Sequence, residues 1–261
     1  MARCIAVANQ KGGVGKTTTC VNLAAGLATL KAKVLVVDMD PQGNATMGSG
    51  IDKHDVEAST CDVLLGEVAI TEAIVSAEAG QFDVLPANAD LTAAEVALMD
   101  ASGREKKLRT ALAQLGNRYH FVLIDCPPSL NMLTVNALAA ADGVLIPMQC
   151  EYYALEGLSA LLNTIRRVQE ELNPKLEIEG LLRTMYDVRN NLSSQVSGQL
   201  LSHFGDKVYR TVVPRNIRVA EAPSHGLSVI NYDAASRGAI AYKGLAGEFM
   251  RRARRQQEVP A

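Results

Sequence analysis

Two lysines in a run of glycines carry the most explicit chemistry in this chain. Asn9-Gln10-Lys11-Gly12-Gly13-Val14-Gly15-Lys16-Thr17-Thr18 follows an apolar run and opens a helical pattern. Glycines let a backbone turn with its amides pointing inward, and a helix start adds a dipole that favours an anion. A strand, a loop of this kind and a helix together make a polyphosphate cradle. Gly12, Gly13, Val14, Gly15 and Thr18 supply its backbone, Lys16 reaches the β- and γ-phosphates, and the Thr17 hydroxyl is offered to Mg²⁺. The loop departs from the common G-x-x-x-x-G-K-T form: Gln10 stands where the first glycine would fall, and Lys11 adds a second cation. One lysine suffices for one nucleotide. Lys11 is either a solvated loop lysine or a group that meets the γ-phosphate of a nucleotide in a facing subunit.

Three aspartates complete the chemistry. Val34-Leu-Val-Val-Asp38-Met-Asp40 is an apolar strand ending in two carboxylates, which share one side if extended. Phe121-Val-Leu-Ile-Asp125 is another such strand. Strand C-termini are where ligands sit in open α/β sheets, so the three are expected to converge on the loop. Mg²⁺ takes oxygen ligands while keeping waters, and an attacking water needs an acceptor to orient it. Asp125 matches the Walker B position and is expected to hold Mg²⁺ through water. A strand-end aspartate also caps helices and forms turns, an alternative that weighs most for Asp38.

The elements that must position these residues are legible as an alternation. Apolar runs at 4–8, 34–37, 82–85, 121–124, 144–147, 179–182 and 208–212 predict strands. Helical patterns fall at 18–30, 93–98, 104–115, 132–140, 155–172, 192–204 and 234–255. The expected fold is a single-domain α/β P-loop NTPase: a mostly parallel twisted sheet with helices on both faces. One domain spans residues 1–261, with a core at about 3–255 and a tail at 256–261. Of the 261 residues 48% are hydrophobic and 21% charged, which excludes an extended disordered chain. Five scattered cysteines without CxxC spacing argue against a disulfide or zinc framework and fit a reducing cytosol. No apolar run reaches membrane-helix length. With no tryptophan and 4% aromatics, a base-stacking platform for single strands is hard to build.

K-G-G-V-G-K-T-T resembles the deviant Walker A signature of the ParA/MinD ATPases. The segments 39–46 (M-D-P-Q-G-N-A-T), 125–130 (D-C-P-P-S-L), 149–157 (Q-C-E-Y-Y-A-L-E-G) and 208–226 (V-Y-R-T-V-V-P-R-N-I-R-V-A-E-A-P-S-H-G) are similar to chromosomal ParA (Soj) partition proteins. The likeness runs from about Arg3 to about Arg255. It implies ATP and Mg²⁺, hydrolysis to ADP and phosphate, and a nucleotide-sandwich homodimer. In such a dimer Lys11 crosses to the other subunit and Gly12 packs where a side chain would clash. It gives catalytic roles to Lys11, Lys16 and Asp40, with Asp40 polarising the attacking water and Asp38 organising the metal or the Lys11 region. Pro214 and Asn216 are expected at the base, though a plain turn is the alternative. Glu151 and Glu156 are expected to start a helix facing the partner subunit, or simply to be acids at a helix N-terminus.

Charge adds a further expectation. The net charge is −2, yet residues 181–261 carry 12 Lys/Arg against 6 Asp/Glu, while residues 1–180 carry 14 against 22. A basic final third on an acidic body suggests a local anionic partner. Arg189, Arg215, Arg218 and Arg237 are candidates for a DNA face, and the resemblance matches Arg189 and Arg218 to positions that bind nonspecific double-stranded DNA. The tail arginines 251, 252, 254 and 255 are read first as stabilising cations at a helix C-terminus. The implied setting is the nucleoid, with a ParB-type centromere-binding protein stimulating hydrolysis and no membrane contact. Two other readings are a MinD-like membrane-positioning ATPase, which needs apolar anchors that the C-terminal segment lacks, and a metabolic P-loop ligase, which needs a second substrate pocket. Cys126 and Cys150 are read as small packing residues, and His225 as a turn residue.

Overall fold

The computed structural model describes residues 2–258; positions 259–261 of the expected tail lie outside them. The chain runs β1 (Arg3–Val7), α1 (Lys16–Thr29), β2 (Val34–Asp38), α2 (Asn44–Gly48), α3 (Thr60–Leu65), α4 (Ile70–Ala73), β3 (Val75–Ala77), β4 (Phe82–Leu85) and α5 (Leu91–Leu98). It continues through α6 (Lys107–Ala113), β5 (Phe121–Asp125), α7 (Met132–Ala140), β6 (Gly143–Gln149), α8 (Ala154–Glu171) and β7 (Glu177–Tyr186). The last elements are α9 (Asn191–Phe204), β8 (Val208–Pro214), α10 (Ile217–Glu221), α11 (Val229–Tyr232) and α12 (Arg237–Glu258).

The eight strands form one sheet in the order β3-β4-β2-β5-β1-β6-β7-β8. Only β3 is antiparallel to its neighbour. From β1 the chain winds first toward β2 and later toward β6, so the direction reverses beside β1, where open α/β sheets bind ligands. The apolar runs of the inner strands β2 and β5 have no polar face because both strands are buried on both sides. Val34 and Val36 enter the core shared with α1 and α12, while Leu35 and Val37 enter the opposite core. The expected fold class is observed.

Several elements differ from the expected pattern. β3 falls outside the expected strands: it is three residues long, and Val75 and Ser76 are exposed. Helices α2, α3, α4, α10 and α11 span four to six residues, too few for helical periodicity to register. The 104–115 pattern divides into a 3₁₀ turn, Arg104–Lys106, and α6. The last helix begins at Arg237 rather than 234 because Asp233 forms a turn, accepting the Ala235 amide on Oδ1 and the Ser236 amide on its carbonyl.

The outer edge of the sheet, β8, is tied to α12 by one carboxylate. Glu248 accepts the Arg210 amide at 2.9 Å, the Thr211 amide at 2.8 Å and the Thr211 hydroxyl at 2.7 Å. Burial opposes its charged form, but these donors and Arg252 outweigh it and hold the carboxyl below its usual range. The Arg252 guanidinium pairs with Glu248 at 2.9 Å and lies 4.0 Å from the Tyr209 ring centre.

Candidate functional site

The loop after β1 is clamped from two sides. Gly13 and Gly15 take left-handed backbone, φ 71° and 88°, which glycine adopts without strain. The Thr184 hydroxyl of β7 donates to the Val14 carbonyl at 2.8 Å, and the Asn9 amide donates to the Pro147 carbonyl of β6 at 2.8 Å. The Asn9 Oδ1 in turn accepts the Lys11 amide at 3.0 Å. The cradle is therefore pre-shaped by its neighbouring strands. Lys16 is 7% exposed, and its ammonium donates to the Lys11 carbonyl at 3.2 Å. Burial lowers its pKa, opposed by the charges of Asp125, Cys126 and Asp40.

A crevice of about 820 Å³ runs from this loop to the end of β8. Gly12, Thr17 and Asp40 line one end, and Pro214 and Asn216 line the other. The Asn216 Oδ1 caps α10 by accepting the Val219 amide at 3.2 Å. Pro214 and Asn216 thus stand across the crevice from the phosphate loop, with Gly13, Gly15 and Thr18 on its walls.

The three aspartates converge, and their surroundings separate them. Asp125 is fully buried, and neither carboxylate oxygen has a hydrogen-bond partner. Burial and then the Asp38 charge push its pKa well up, opposed by the nearby Thr17 hydroxyl and Lys16. Asp38 is equally buried but fully engaged: it accepts the Asp40 amide at 3.1 Å and the Thr46 amide and hydroxyl at 2.9 and 2.8 Å. Burial raises its carboxyl to about 6 despite these donors. Asp38 therefore anchors α2 to the sheet in this conformation, and Asp125 is the carboxylate without a partner. Asp40 lies at the crevice wall, 9% exposed, with Oδ1 accepting the Gln42 amide at 3.0 Å.

The described residues include no group of three or more His, Cys, Asp or Glu able to hold a metal ion alone. An unpartnered buried carboxylate beside a threonine hydroxyl instead suits a hydrated cation shared with bound phosphates, the usual habit of Mg²⁺. The residues present fit that ion.

Gly43 fixes the turn that carries Asp40. Its amide donates to the Asp40 carbonyl at 2.9 Å, and its φ is 62°. A Cβ there would fall 2.5 Å from the Ala87 carbonyl oxygen. Gly43→Ala is expected to cost about 1–3 kcal/mol and to lower the melting temperature by several degrees, measured by thermal unfolding. An unchanged melt would show that the turn relaxes freely.

Lys11 lies outside the crevice wall. Its ammonium meets the Glu151 carboxylate at 2.5 Å, and both side chains are more than 40% exposed. A Cβ on Gly12 would meet nothing within 4 Å, so no contact within the chain requires glycine there. Glu151 precedes α8, and Glu156 lies exposed in its first turn. Tyr152 and Tyr153, 75% and 69% exposed, stand between them.

The four candidate DNA residues cluster at the C-terminal ends of β7 and β8 without forming one bare patch. Arg189 makes a two-pronged pair with Asp187 at 3.0 and 2.9 Å. That pair lowers the Asp187 carboxyl to about 2, and Arg215 adds to the effect. Arg218 pairs with Glu221 at 2.8 Å and Asp233 at 3.4 Å. Arg215 and Arg237 form no ion pair among the described residues.

Sequence reasoning missed Thr46, Thr184 and the clamping role of Asn9. Asn9 sits inside the loop motif, but nothing in a single sequence marks Thr184 or Thr46 as hydrogen-bond partners of distant groups. Cys126 and Cys150 are buried, and burial raises both thiols, Cys150 to about 11. The His225 ring stacks on Tyr232 with centres 4.9 Å apart, as a turn residue can.

The family described as AAA domain matches residues 2–178. The sporulation initiation inhibitor protein Soj of Bacillus subtilis is 54% identical over 248 residues, covering 95% of this chain and 98% of that protein. The chromosome partitioning protein ParA of Caulobacter vibrioides is 51% identical over 257 residues, covering 98% and 96%. Among solved structures, a Mycobacterium smegmatis protein named cobyrinic acid a,c-diamide synthase, with bound ATP analog and magnesium, superposes with a TM-score of 0.87 at 39% identity, covering 100% and 99%. With the signature loop, the converging aspartates and these relatives in agreement, the chain belongs to the ParA/MinD superfamily of P-loop ATPases, in its Soj/ParA branch.

Proposed function

We propose that this partition ATPase closes two copies of itself around two ATP molecules and binds double-stranded DNA without sequence preference in that form. Hydrolysis, stimulated by a ParB-type partner, then separates the copies and releases the DNA. ATP and Mg²⁺ are its nucleotide and metal. The observation that carries the reading is the position of Lys11: outside its own crevice, exposed, and held by an acid rather than by the phosphate loop. A cation so placed serves a nucleotide on a facing chain. Gly12 supports this, since only a partner would give a side chain there something to strike.

The chain's own groups divide the work. Lys16 and the loop amides bind the β- and γ-phosphates, and their low-dielectric setting strengthens each contact. Thr17 and Asp125 would hold Mg²⁺, Asp125 through water, and the ion would supply neutralisation of phosphate charge. Asp38 organises this region through its grip on Thr46 and the Asp40 amide. Asp40 orients the attacking water. Lys11, released from Glu151, stabilises charge on the partner's γ-phosphate. Pro214 and Asn216 take the base, and the surface around Glu151 and Glu156 faces the second copy.

Arg189, Arg215, Arg218 and Arg237 form the DNA face, doubled by dimerisation. Because phosphate contacts release counterions, binding weakens steeply with salt. Arg189 and Arg218 exchange their carboxylate partners for phosphates. This places the protein on the nucleoid. Arg218→Glu is expected to dimerise normally and to bind DNA at least tenfold more weakly, with a salt slope shallower by about 2 for two lost phosphate contacts per dimer. Unchanged affinity would move the face elsewhere. The whole reading is tested by titrating random-sequence DNA with ATP, with ADP and without nucleotide; a failure of ATP to tighten binding sinks the gated switch.

Among the described residues no helix is long and apolar enough to cross a membrane. The name of the similar Mycobacterium smegmatis protein, a diamide synthase, favours a second reading, a ligase. Product analysis separates the two: a ligase consumes ATP only with its organic substrate, whereas a partition ATPase hydrolyses ATP alone.

A further inference from the structure

We propose that a recess at the end of the sheet opposite the phosphate loop is a second ligand site, built to hold the diphosphate group of a small organic molecule. It is distinct from the ATP crevice. It also goes beyond the partition reading, whose ATP, Mg²⁺ and DNA contacts use none of its residues.

The recess measures about 500 Å³, within the range of small-molecule sites. It lies between the N-terminal ends of β1 and β5, the turn that closes α1, and the last turns of α12. α1 has 14 residues, a span of about 21 Å, with Lys16 at its first position and Lys31 just past its end. One small ligand therefore cannot serve both sites. Arg3, Lys31 and Arg254 line the recess, and no carboxylate among the described residues does. The Arg3 Nη2 pairs with Glu179 at 2.5 Å, while its Nη1 is buried without an acceptor among the described residues. A buried donor left unpaired costs free energy that a bound anion would recover. Lys31 is exposed and forms no ion pair among the described residues.

The backbone at Lys31 points the same way. α1 ends in a Schellman turn: the Lys31 amide donates to the Ala28 carbonyl at 2.9 Å, and the Ala32 amide to the Leu27 carbonyl at 3.1 Å. Such a turn needs left-handed backbone at Lys31, φ 64°, where glycine is the usual residue. A lysine strains the turn, and what it adds is a cation on the recess wall. The His120 Nδ1 accepts the Lys33 amide at 2.8 Å, which leaves the proton of the neutral imidazole on Nε2, a donor for an anion. Three cations, one of them shared with Glu179, match the roughly two to three negative charges of a diphosphate better than the single charge of a carboxylate. Phe121 and Met250 add apolar surface for the rest of the molecule. An extended peptide has no ladder to join here, because β1 and β5 lie inside the sheet with strands on both sides. A duplex offers singly charged phosphates strung along its strands rather than a diphosphate.

The test follows the imidazole resonances of the full chain by NMR while inorganic pyrophosphate is added at fixed pH, without nucleotide or Mg²⁺. The chain has four histidines and none lines the ATP crevice, so the His120 signal reports the recess alone. It is expected to shift saturably with pyrophosphate and to stay still with chloride at equal ionic strength. Lys31→Gly relieves the left-handed turn, so its melting temperature should match or exceed that of the wild type while pyrophosphate binding weakens about tenfold or more. Arg254→Gln should weaken binding in the same direction. ATP affinity and basal hydrolysis should be unchanged in both variants. A His120 signal that pyrophosphate leaves unmoved, or equal affinity in the variants and the wild type, overturns the proposal. So does a signal that moves with phosphatidylglycerol vesicles and not with pyrophosphate, which would give the cations to a lipid headgroup. Displacement of pyrophosphate from the recess by a short duplex would overturn it likewise.

Discussion

The Asp40→Ala protein is expected to bind ATP as tightly as the wild type, to dimerise, and to hydrolyse at least a hundredfold more slowly. Asp40 sits at the crevice wall with Oδ1 on the Gln42 amide, which leaves Oδ2 without a partner. No backbone group that cradles phosphate depends on it. Its removal thus spares the interactions made equally in ground and transition states and deletes one that matters as water attacks. Positioned acceptors of this kind contribute about 10²–10⁴-fold. Phosphate release read beside light scattering checks both halves of the expectation. Near-normal hydrolysis would remove Asp40 from the water-positioning role. Lost ATP binding would make it part of the cradle instead.

Asp125→Asn is expected to act in opposite directions on stability and activity. The carboxylate is buried, unpartnered, and repelled by Asp38. Its folded pKa lies above the unfolded value, so folding favours the protonated form. The nucleotide-free chain then loses stability as pH rises from the unfolded pKa toward the folded one. Asp38, raised to about 6, adds to this loss between about pH 4 and pH 6. Replacing Asp125 by a neutral amide of the same shape removes its share, about 1–3 kcal/mol at pH 7, worth roughly 2–4 °C per kcal/mol. Thermal melts at pH 5 and pH 7 without nucleotide should show the variant more stable and less pH-dependent. Hydrolysis should fall at least a hundredfold, and added Mg²⁺ and nucleotide should stabilise the wild type more than the variant. A less stable variant would mean that the carboxylate is held by contacts of its own.

Much of the site was legible because its chemistry is local. Lys16, Thr17 and the glycines lie in one decapeptide, and Asp38 and Asp125 end strands whose apolar runs announce them. Their convergence follows from parallel strands delivering their C-termini to one edge. What stayed hidden depends on residues far apart in sequence. Thr184 reaches Val14 across 170 positions, and Glu151 reaches Lys11 across 140. The resemblance named Glu151 as an interface acid, but only the folded chain shows it holding Lys11. The sequence already set Asp125 apart as the Walker B carboxylate and gave the cap or turn alternative most weight at Asp38, but the partner that engages Asp38 was invisible. Thr46 is that partner, and it comes from a five-residue helix too short to read from periodicity.

The carboxylate of Glu248 on the rim of β8 has a bearing on how copies of this protein can join. An outermost strand ordinarily offers a ladder of free amides to any extended chain that drifts past. Here two consecutive rungs, Arg210 and Thr211, are already occupied by a buried acid. An incoming strand would have to evict that acid and leave Arg252 without its counter-ion. At the other rim, β3 is three residues long. Merging of sheets from neighbouring molecules is thereby disfavoured at both rims, a safeguard against β-aggregation in a protein that would crowd onto a shared polymer.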